Sequence, residues 1–253
     1  MENLLAYTHY GALVMARLAP FFVSSNLSPF ARIPASIRIY LLLFFSLFFT
    51  LINPPANVLI PELVMFVSAL LLEFVLGLLL LFGVQCIFAS LSFAGRIVDM
   101  QVGFGAAGVI DPATRQTEAL IGSLMTSVAL VMFFLTDMHH TLLVTINQSL
   151  TLIPIGTANF AVSISTLSSA MTTQFVFGIL IFLPVIAGLL MIDTLIAFAS
   201  RTMPQMNVYF VTLPLKIMIG LFLLSISIRY ANPVMSDMHN ALSVYWQQIL
   251  GSR

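Results

Sequence analysis

Long apolar runs separated by short polar stretches dominate the pattern of positions along the chain. Six runs stand out, at residues 4–23, 39–52, 63–93, 119–135, 175–200 and 208–228. A helix needs about 20 apolar residues to cross the hydrocarbon core of a bilayer, and only 39–52 is clearly short for such a span. The pattern therefore predicts an all-α protein of a membrane or membrane complex, with about six long apolar helices.

Interruptions within and after these runs predict bent helices and some shorter ones. Pro184 and Pro214 lie inside the fifth and sixth runs, and a proline inside a helix usually kinks it. Residues 137–172 are mixed in polarity and are expected to hold one or two short amphipathic helices. The tail that begins at Asn232 carries a helix-compatible apolar pattern. We expect kinked helical hairpins.

The composition excludes a soluble protein. The 253 residues are 60% hydrophobic and only 7% charged, whereas soluble domains carry about 25% charged residues. A net charge near zero argues against nucleic acid as a partner. The single cysteine, Cys86, excludes an intramolecular disulfide and a cysteine-based metal cluster, and no cofactor is expected.

The distribution of basic residues in the short loops predicts a membrane orientation. The loops after the first, third and fifth runs hold Arg32, Arg38, Arg96, Arg115 and Arg201, and those after the second and fourth hold no basic residue. Because basic residues favour the cytoplasmic side, this count predicts six spans with both termini outside. Residues 103–118 would then face the cytoplasm.

Glycine concentrates at one place, between the third and fourth apolar runs. Gly103, Gly105 and Gly108 fall within six residues, and each would cost roughly 1 kcal/mol relative to alanine inside a helix. Asp111 and Pro112 follow, a pair that favours a turn. We therefore interpret residues 103–118 as a bent polar loop held among apolar helices.

The same glycines formally spell G-x-G-x-x-G, but a nucleotide site is not indicated. That motif binds a dinucleotide only between a strand and a helix, and here an apolar helix precedes it. Phe104, between two glycines, is more informative, because a large ring on a flexible loop is suited to filling an opening and leaving it. Charged residues flank the loop, ending with Glu118.

Charged residues inside or beside apolar runs are costly and need an explanation, since each costs roughly 2.5–3.5 kcal/mol on insertion scales. The candidates are Glu73, Arg96, Asp99, Asp193, Arg201 and Lys216. Pairing between helices or between subunits is one explanation, and a proton or ion pathway is the other. The near balance of opposite signs favours pairing. Arg96 and Asp99 would share one helical face.

A second polar segment separates the fifth and sixth runs. It runs from Arg201 and contains Met203, Gln205, Met206 and Asn207. The simple interpretation is a hairpin connection. In the more specific one it packs near the glycine-rich loop, with Gln205 and Asn207 making polar contacts. Methionine adapts to irregular surfaces, so Met203 and Met206, together with Met100, would form a deformable seal.

Catalytic motifs are missing from the sequence, so an enzyme is not expected. Neither H-E-x-x-H nor G-x-S-x-G occurs. One functional alternative stays open from the residues alone. It is a stand-alone secondary transporter or ion channel that uses Asp99, Asp193 and Lys216 at mid-membrane, where broken helices form such sites.

Two stretches of the sequence are distinctive as motifs. The first is Asp99-Met100-Gln101-Val102-Gly103-Phe104-Gly105, followed by Asp111-Pro112. The second is Arg201-Thr202-Met203-Pro204-Gln205-Met206-Asn207-Val208, followed by Leu213-Pro214-Leu215-Lys216. Both resemble the FliR family of flagellar biosynthesis proteins and its SctT-type counterpart in virulence type III secretion. Length, hydropathy and the positions of both stretches agree with the family over nearly the whole chain.

The resemblance implies a non-enzymatic core subunit of the flagellar type III export gate. In that family the chain joins P-type and Q-type membrane subunits in a closed assembly through which unfolded proteins leave. Residues 103–118 would project into the pore as a plug, which conflicts with the cytoplasmic orientation expected from the basic residues. The resemblance also implies one export-gate domain over residues 1–253, P-subunit-like to about residue 172 and Q-subunit-like over 173–253.

Further partners and a location follow from the same resemblance. They are the B-type and A-type export apparatus proteins, the exported polypeptides and membrane lipid. The expected location is the bacterial inner (cytoplasmic) membrane at the flagellar basal body, with a projection toward the periplasm. Charges such as Asp193 and Lys216 would then form contacts between subunits.

Overall fold

The protein is built of α-helices. The computed structural model describes residues 2–23, 33–54, 63–104, 120–156, 163–202 and 208–251, and no strand occurs among them. The helices are α1 (Glu2–Val23), α2 (Ala35–Ile52), α3 (Leu63–Val102), α4 (Leu120–Leu135), α5 (Met138–Leu152), α6 (Ile164–Thr202) and α7 (Val208–Leu250). The all-α fold expected from the apolar runs is confirmed.

Three helices are at least nine residues longer than the apolar runs that predict them. Helices α3, α6 and α7 contain 40, 39 and 43 residues. Helix α3 continues through Arg96 and Asp99 to Val102, and α7 joins the sixth run to the tail through Pro233. At 1.5 Å per residue each helix is about 60 Å long, roughly twice the thickness of the hydrocarbon core.

The expectation of six spans differs from the helices observed. Among the described residues, four helices are long and apolar enough to cross a membrane, and a fifth span results if α4 and α5 count together. Asp137, which precedes α5, has a φ of 56°. Helix α1 is not among the candidates, although residues 4–23 form an apolar run. Helix α2 is among the candidates, although its apolar run, 39–52, is short for a span.

The chain divides into two compact units, and each combines distant parts of the sequence. Unit 1 consists of Met1–Gln85, Asp137–Ala170 and Leu242–Arg253, and unit 2 consists of Cys86–Thr136 and Met171–Ala241. The division near residue 172 into a P-subunit-like and a Q-subunit-like part stays a prediction.

In unit 1, aromatic and small residues fix the packing of α7 on α3. The Tyr245 hydroxyl donates a hydrogen bond to the Leu79 carbonyl oxygen at 2.7 Å, and the Trp246 Nε1–H donates to the Leu80 carbonyl oxygen at 3.0 Å. A Cβ added at Gly83 would lie 2.7 Å from a ring carbon of Tyr245, so the glycine makes room for that ring. Both aromatic side chains are buried.

In unit 2, small residues allow helices to approach closely, as they do in membrane-protein interfaces. A Cβ at Gly178 would lie 2.9 Å from Ser90, and one at Gly220 would lie 2.7 Å from Val102. A hydrogen bond from Gln174 Nε2 to the Met238 carbonyl oxygen, 3.0 Å long, adds a polar tie between α6 and α7. These contacts bring α6 and α7 against the part of α3 that leads to the glycine-rich loop.

Candidate functional site

The end of α3 and the beginning of α4 form the base of the glycine-rich loop, and all of this base lies in unit 2. Helix α3 ends at Val102, and Gly103 follows with a φ of 100°. The Gly103 N–H donates a hydrogen bond to the Asp99 carbonyl oxygen at 3.1 Å. A positive φ is the usual conformation of a glycine that ends a helix, and a side chain here would be strained. Phe104 is half-buried.

The Asp99 side chain joins this end of α3 to the first turn of α4. Asp99 is 2% exposed. Its Oδ1 and Oδ2 atoms accept hydrogen bonds from the Ile121 N–H at 3.1 and 3.0 Å, and Oδ2 also accepts from the Gly122 N–H at 3.5 Å. The first N–H groups of a helix have no partner within it and carry partial positive charge, so a carboxylate stabilises them. Asp99 therefore caps a helix that begins about twenty residues later.

The backbones of α3 and α4 touch beside this cap. A Cβ placed on Gly95 would lie 2.4 Å from the Gly122 Cα and 2.7 Å from its nitrogen, both backbone atoms. Only glycine allows this approach, and Ile121 next to it is 1% exposed. The two ends of the loop are thus held together by a charge-assisted cap and by a glycine-to-glycine contact.

Several residues predicted for the plug, the seal and the polar contacts fall outside the described residues. They are Gly105, Gly108, Asp111, Pro112, Met203, Gln205, Met206 and Asn207. Of the seal, only Met100 is described, and it is 67% exposed. Arg96 and Arg201 are exposed as well. The plug and the seal stay predictions.

Asp193 and Lys216 form an ion pair in unit 2. The Lys216 ammonium of α7 contacts Asp193 Oδ1 of α6, and the two side chains are 19% and 40% exposed. Exposed apolar residues surround the pair in sequence on both helices: Leu190, Met191, Leu195, Leu215 and Met218. The pair is thus a polar patch within an otherwise apolar exposed stretch.

Glu73 forms the other ion pair described here, in unit 1. Its partner is Arg17 of α1, with 2.6 Å between Arg17 Nε and Glu73 Oε2, and the two side chains are 1% and 0% exposed. The guanidinium also donates to the carbonyl oxygens of Ser149 at 2.7 Å and Ile153 at 3.0 Å. Glu73 Oε1 accepts from the Gly156 N–H at 3.0 Å. The cluster ties α1 and α3 to the end of α5.

Arg17 is not among the polar contacts expected from the sequence. The sequence does carry a signal for it. Arg17 is a basic residue inside the first apolar run, and Glu73 is an acidic residue inside the third, so the two are candidates to pair. Gly77, one turn after Glu73 on α3, marks the place where α3 packs closely against α1. A Cβ there would lie 2.1 Å from the Arg17 carbonyl oxygen, so α1 and α3 touch backbone to backbone at this point.

The described polar residues form ties between helices. In the part of the chain that the structure describes, no three His, Cys, Asp or Glu side chains are grouped so that they could hold a metal ion. Asp99 and Glu73 are each occupied by backbone N–H groups, and Glu73 also by Arg17. Both carboxylates therefore act as hydrogen-bond acceptors that hold helices in place.

Comparison with known proteins identifies the family. A family model described as "Bacterial export proteins, family 1" matches residues 10–242. The flagellar biosynthetic protein FliR of Bacillus subtilis (strain 168) is 33% identical over 84% of this chain and 83% of its own. FliR of Caulobacter vibrioides is 26% identical over 92% of this chain and 94% of its own. The surface presentation of antigens protein SpaR of Shigella sonnei is 28% identical over 61% of this chain and 60% of its own. The chain therefore belongs to family 1 of the bacterial export proteins, the family that includes the flagellar biosynthetic protein FliR.

Proposed function

We propose that this chain is a non-enzymatic core subunit of the flagellar type III protein export gate, in the bacterial inner membrane. The match of the family model to residues 10–242 is the observation that carries the proposal. The flagellar relatives named above are 33% and 26% identical over 83% and 94% of their length, which supports the flagellar system. P-type and Q-type subunits form the gate with this chain, and the A-type and B-type proteins adjoin it.

Residues 103–118 act as the plug of the pore in this proposal. The geometry of the base supports the role, because Asp99 holds the start of α4 beside the end of α3. Both ends of the proposed plug are therefore fixed at one place. Phe104 is the described residue next to this base that has the bulk of a stopper.

Part of each long apolar helix lies beyond the bilayer, on the periplasmic side. Partner subunits cover the apolar surface of these helices. The lengths of α3, α6 and α7 support this, since helices of about 60 Å exceed one hydrocarbon core by about 30 Å. Large apolar side chains remain exposed along α6, among them Phe198 at 71% and Leu195 at 67%. Over the length that lies outside lipid, such a surface requires protein contact.

The alternative of a stand-alone transporter or ion channel requires titratable groups that are free to exchange ions. Asp99 accepts hydrogen bonds from two backbone N–H groups, and Asp193 is paired with Lys216. Both carboxylates therefore have structural partners, which favours the export-gate subunit. Purified protein in liposomes distinguishes the two, because only a transporter moves ions without other subunits.

A genetic experiment tests the proposed function in the bacterium that encodes the chain. Deletion of its gene should abolish motility and the appearance of flagellin in the medium, and a plasmid copy should restore both. A copy with 105–108 deleted should restore assembly of the gate but raise permeability of the inner membrane to small solutes. Export of flagellin at the parental level without the gene would refute the proposal.

The plug has its own test, with Phe104→Ala as the variant. Replacement of the ring by a methyl group should raise the efflux of carboxyfluorescein from liposomes that contain the purified gate complex. Phe93→Ala is a matched control, because Phe93 is 49% exposed on α3 and lies away from the loop in sequence. Equal efflux from the wild-type and Phe104→Ala complexes would refute the plug.

A further inference from the structure

The outward face of α2 consists of large apolar and aromatic side chains. Helix α2 runs from Ala35 to Ile52. From residue 39 onward, eight of its side chains are between 46% and 71% exposed: Ile39, Tyr40, Leu43, Phe44, Leu47, Phe48, Leu51 and Ile52. All eight belong to the described part of the chain, and no charged or small residue occurs among them. We call this set the outward face of α2.

The small polar residues of the same helix lie on its opposite side, against α1. Ser46 and Thr50 are buried. The Ser46 hydroxyl donates a hydrogen bond to the Gly11 carbonyl oxygen of α1 at 3.1 Å, and the Thr50 hydroxyl donates to the Ser46 carbonyl oxygen at 2.7 Å. A helix with one side in water has the reverse arrangement, with its polar residues outside. The outward face of α2 is therefore not a surface for water.

We propose that the outward face of α2 lies against the acyl chains of the membrane and not against another protein subunit. The proposal goes beyond the export-gate function, because it assigns one particular surface of the chain to lipid. It also separates α2 from α3, α6 and α7, whose apolar surfaces are assigned above to partner subunits.

The contacts between helices within this chain show what a protein-covered face contains. Gly11 and Ser46 lie where α1 meets α2, Gly77 lies where α1 meets α3, and Gly178 lies where α3 meets α6. Small residues and hydrogen-bonding side chains are what lets apolar helices approach and hold one another. Over residues 43–52, the outward face of α2 has neither kind of residue. Its composition therefore fits acyl chains better than a further helix.

The last part of α6 has the composition that the outward face of α2 lacks. Small and polar residues are exposed there between the large apolar ones: Ala187, Thr194, Ala197 and Ser200. Asp193 is 40% exposed in the same part of the helix and pairs with Lys216. Such a surface allows close approach and polar ties to a partner helix. The two exposed surfaces are thus suited to different occupants.

The length and the ends of α2 fit one crossing of the hydrocarbon core. Its 18 residues span about 27 Å, against about 30 Å for the core. Arg38, in the first turn, donates to the Phe22 carbonyl oxygen at 3.3 Å. Among the described residues no carboxylate pairs with Arg38, so its charge complements the anionic phosphates of lipid headgroups. At the other end, the polar Asn53 donates to Asn147 Oδ1 at 3.0 Å.

Spin labels on single cysteines distinguish lipid, water and protein as the occupant. Cys86 is the one native cysteine, and Cys86→Ser provides the background. Phe44→Cys, Leu47→Cys and Leu51→Cys place a label on the outward face. Leu195→Cys is the matched control, because Leu195 is exposed to a similar extent on α6. Power saturation of the spectrum measures collisions with oxygen, which concentrates among acyl chains, and with a nickel chelate, which stays in water.

The sample is the labelled protein with whatever subunits it retains on gentle purification, in liposomes of phosphatidylethanolamine and phosphatidylglycerol. We expect oxygen accessibility several-fold higher at the three α2 positions than at Leu195, with low accessibility to the nickel chelate at all four. Low accessibility to both reagents on α2 would reveal a protein cover, and high accessibility to the nickel chelate would reveal water. Either result would overturn the proposal.

The label on α6 separates a failure of this proposal from a failure of the proposed function. If the chain binds no partner subunit, we expect the label at Leu195 to be as accessible to oxygen as those on α2. The export-gate function would then fail, and the lipid-facing α2 would stand. Labels closed to both reagents on α2 and on α6 alike would refute only the lipid face. If Cys86→Ser does not assemble, Cys86→Ala is the background for the same measurements.

Discussion

The two ion pairs described here differ in their burial and in the number of hydrogen-bond partners that the chain supplies. In unit 1, Arg17 and Glu73 are fully buried, and backbone groups of Ser149, Ile153 and Gly156 occupy their remaining hydrogen-bonding atoms. In unit 2, Lys216 and Asp193 are paired but remain partly exposed among apolar neighbours. The first pair belongs to the internal framework, and the second is part of a surface.

The two pairs are suited to different roles. A buried pair with all its atoms satisfied fixes the relative position of helices, and removal of one partner leaves an uncompensated charge. A partly exposed pair contributes little to the stability of its own chain. Exposed charges within an apolar stretch are costly against lipid, so this pair is suited to a contact with a partner subunit.

The largest expected effect comes from breaking the buried pair. Arg17→Ala should lower the free energy of unfolding by about 3–5 kcal/mol, because Glu73 is left buried without its counter-charge. Chemical unfolding of the purified, detergent-solubilised chain measures the change. The double variant Arg17→Met/Glu73→Leu should lose less than Arg17→Ala, since neither charge remains.

Arg229→Ala is the control for this comparison, because Arg229 is exposed on α7. It should leave the free energy of unfolding within about 0.5 kcal/mol of the wild-type value. If Arg17→Ala were equally neutral, the buried cluster would not form the framework of unit 1.

The next effect concerns the helix crossing beside Arg17. Gly77→Ala should cost about 1–3 kcal/mol, because the new Cβ would meet the Arg17 carbonyl oxygen at 2.1 Å and force the backbones apart. Gly11→Ala is its matched control, since a Cβ there would lie 3.6 Å from Thr50 Oγ1, an ordinary contact. The same unfolding measurement applies. Similar losses for both variants would contradict the crossing as the cause.

The smallest effect on the chain alone is expected from the exposed pair. Asp193→Asn should change the free energy of unfolding by less than about 1 kcal/mol, because the pair is partly solvated in the isolated chain. The same variant should reduce the yield of the complex with P-type and Q-type subunits. A large loss of chain stability with unchanged complex yield would reverse the contrast between the two pairs.

The sequence predicted elements better than partners. The apolar runs predicted the helices, and the three glycines predicted the break after α3, because both signals are local. The runs did not predict that α3 continues through the charged Asp99. Its carboxylate is stabilised there by hydrogen bonds from backbone N–H groups of α4, which lies later in the sequence. Arg17 was missed for the same reason: its partners Glu73 and Ser149 lie 56 and 132 positions away. Periodicity carries no information on such distant contacts.

Native mass spectrometry of the tagged chain, purified gently from the bacterium that encodes it, tests whether the chain works as one subunit of an export gate. We expect a heteromeric complex in which the chain is bound to P-type and Q-type membrane subunits, with weaker association for Asp193→Asn. A homogeneous monomer or homodimer without other subunits would contradict it.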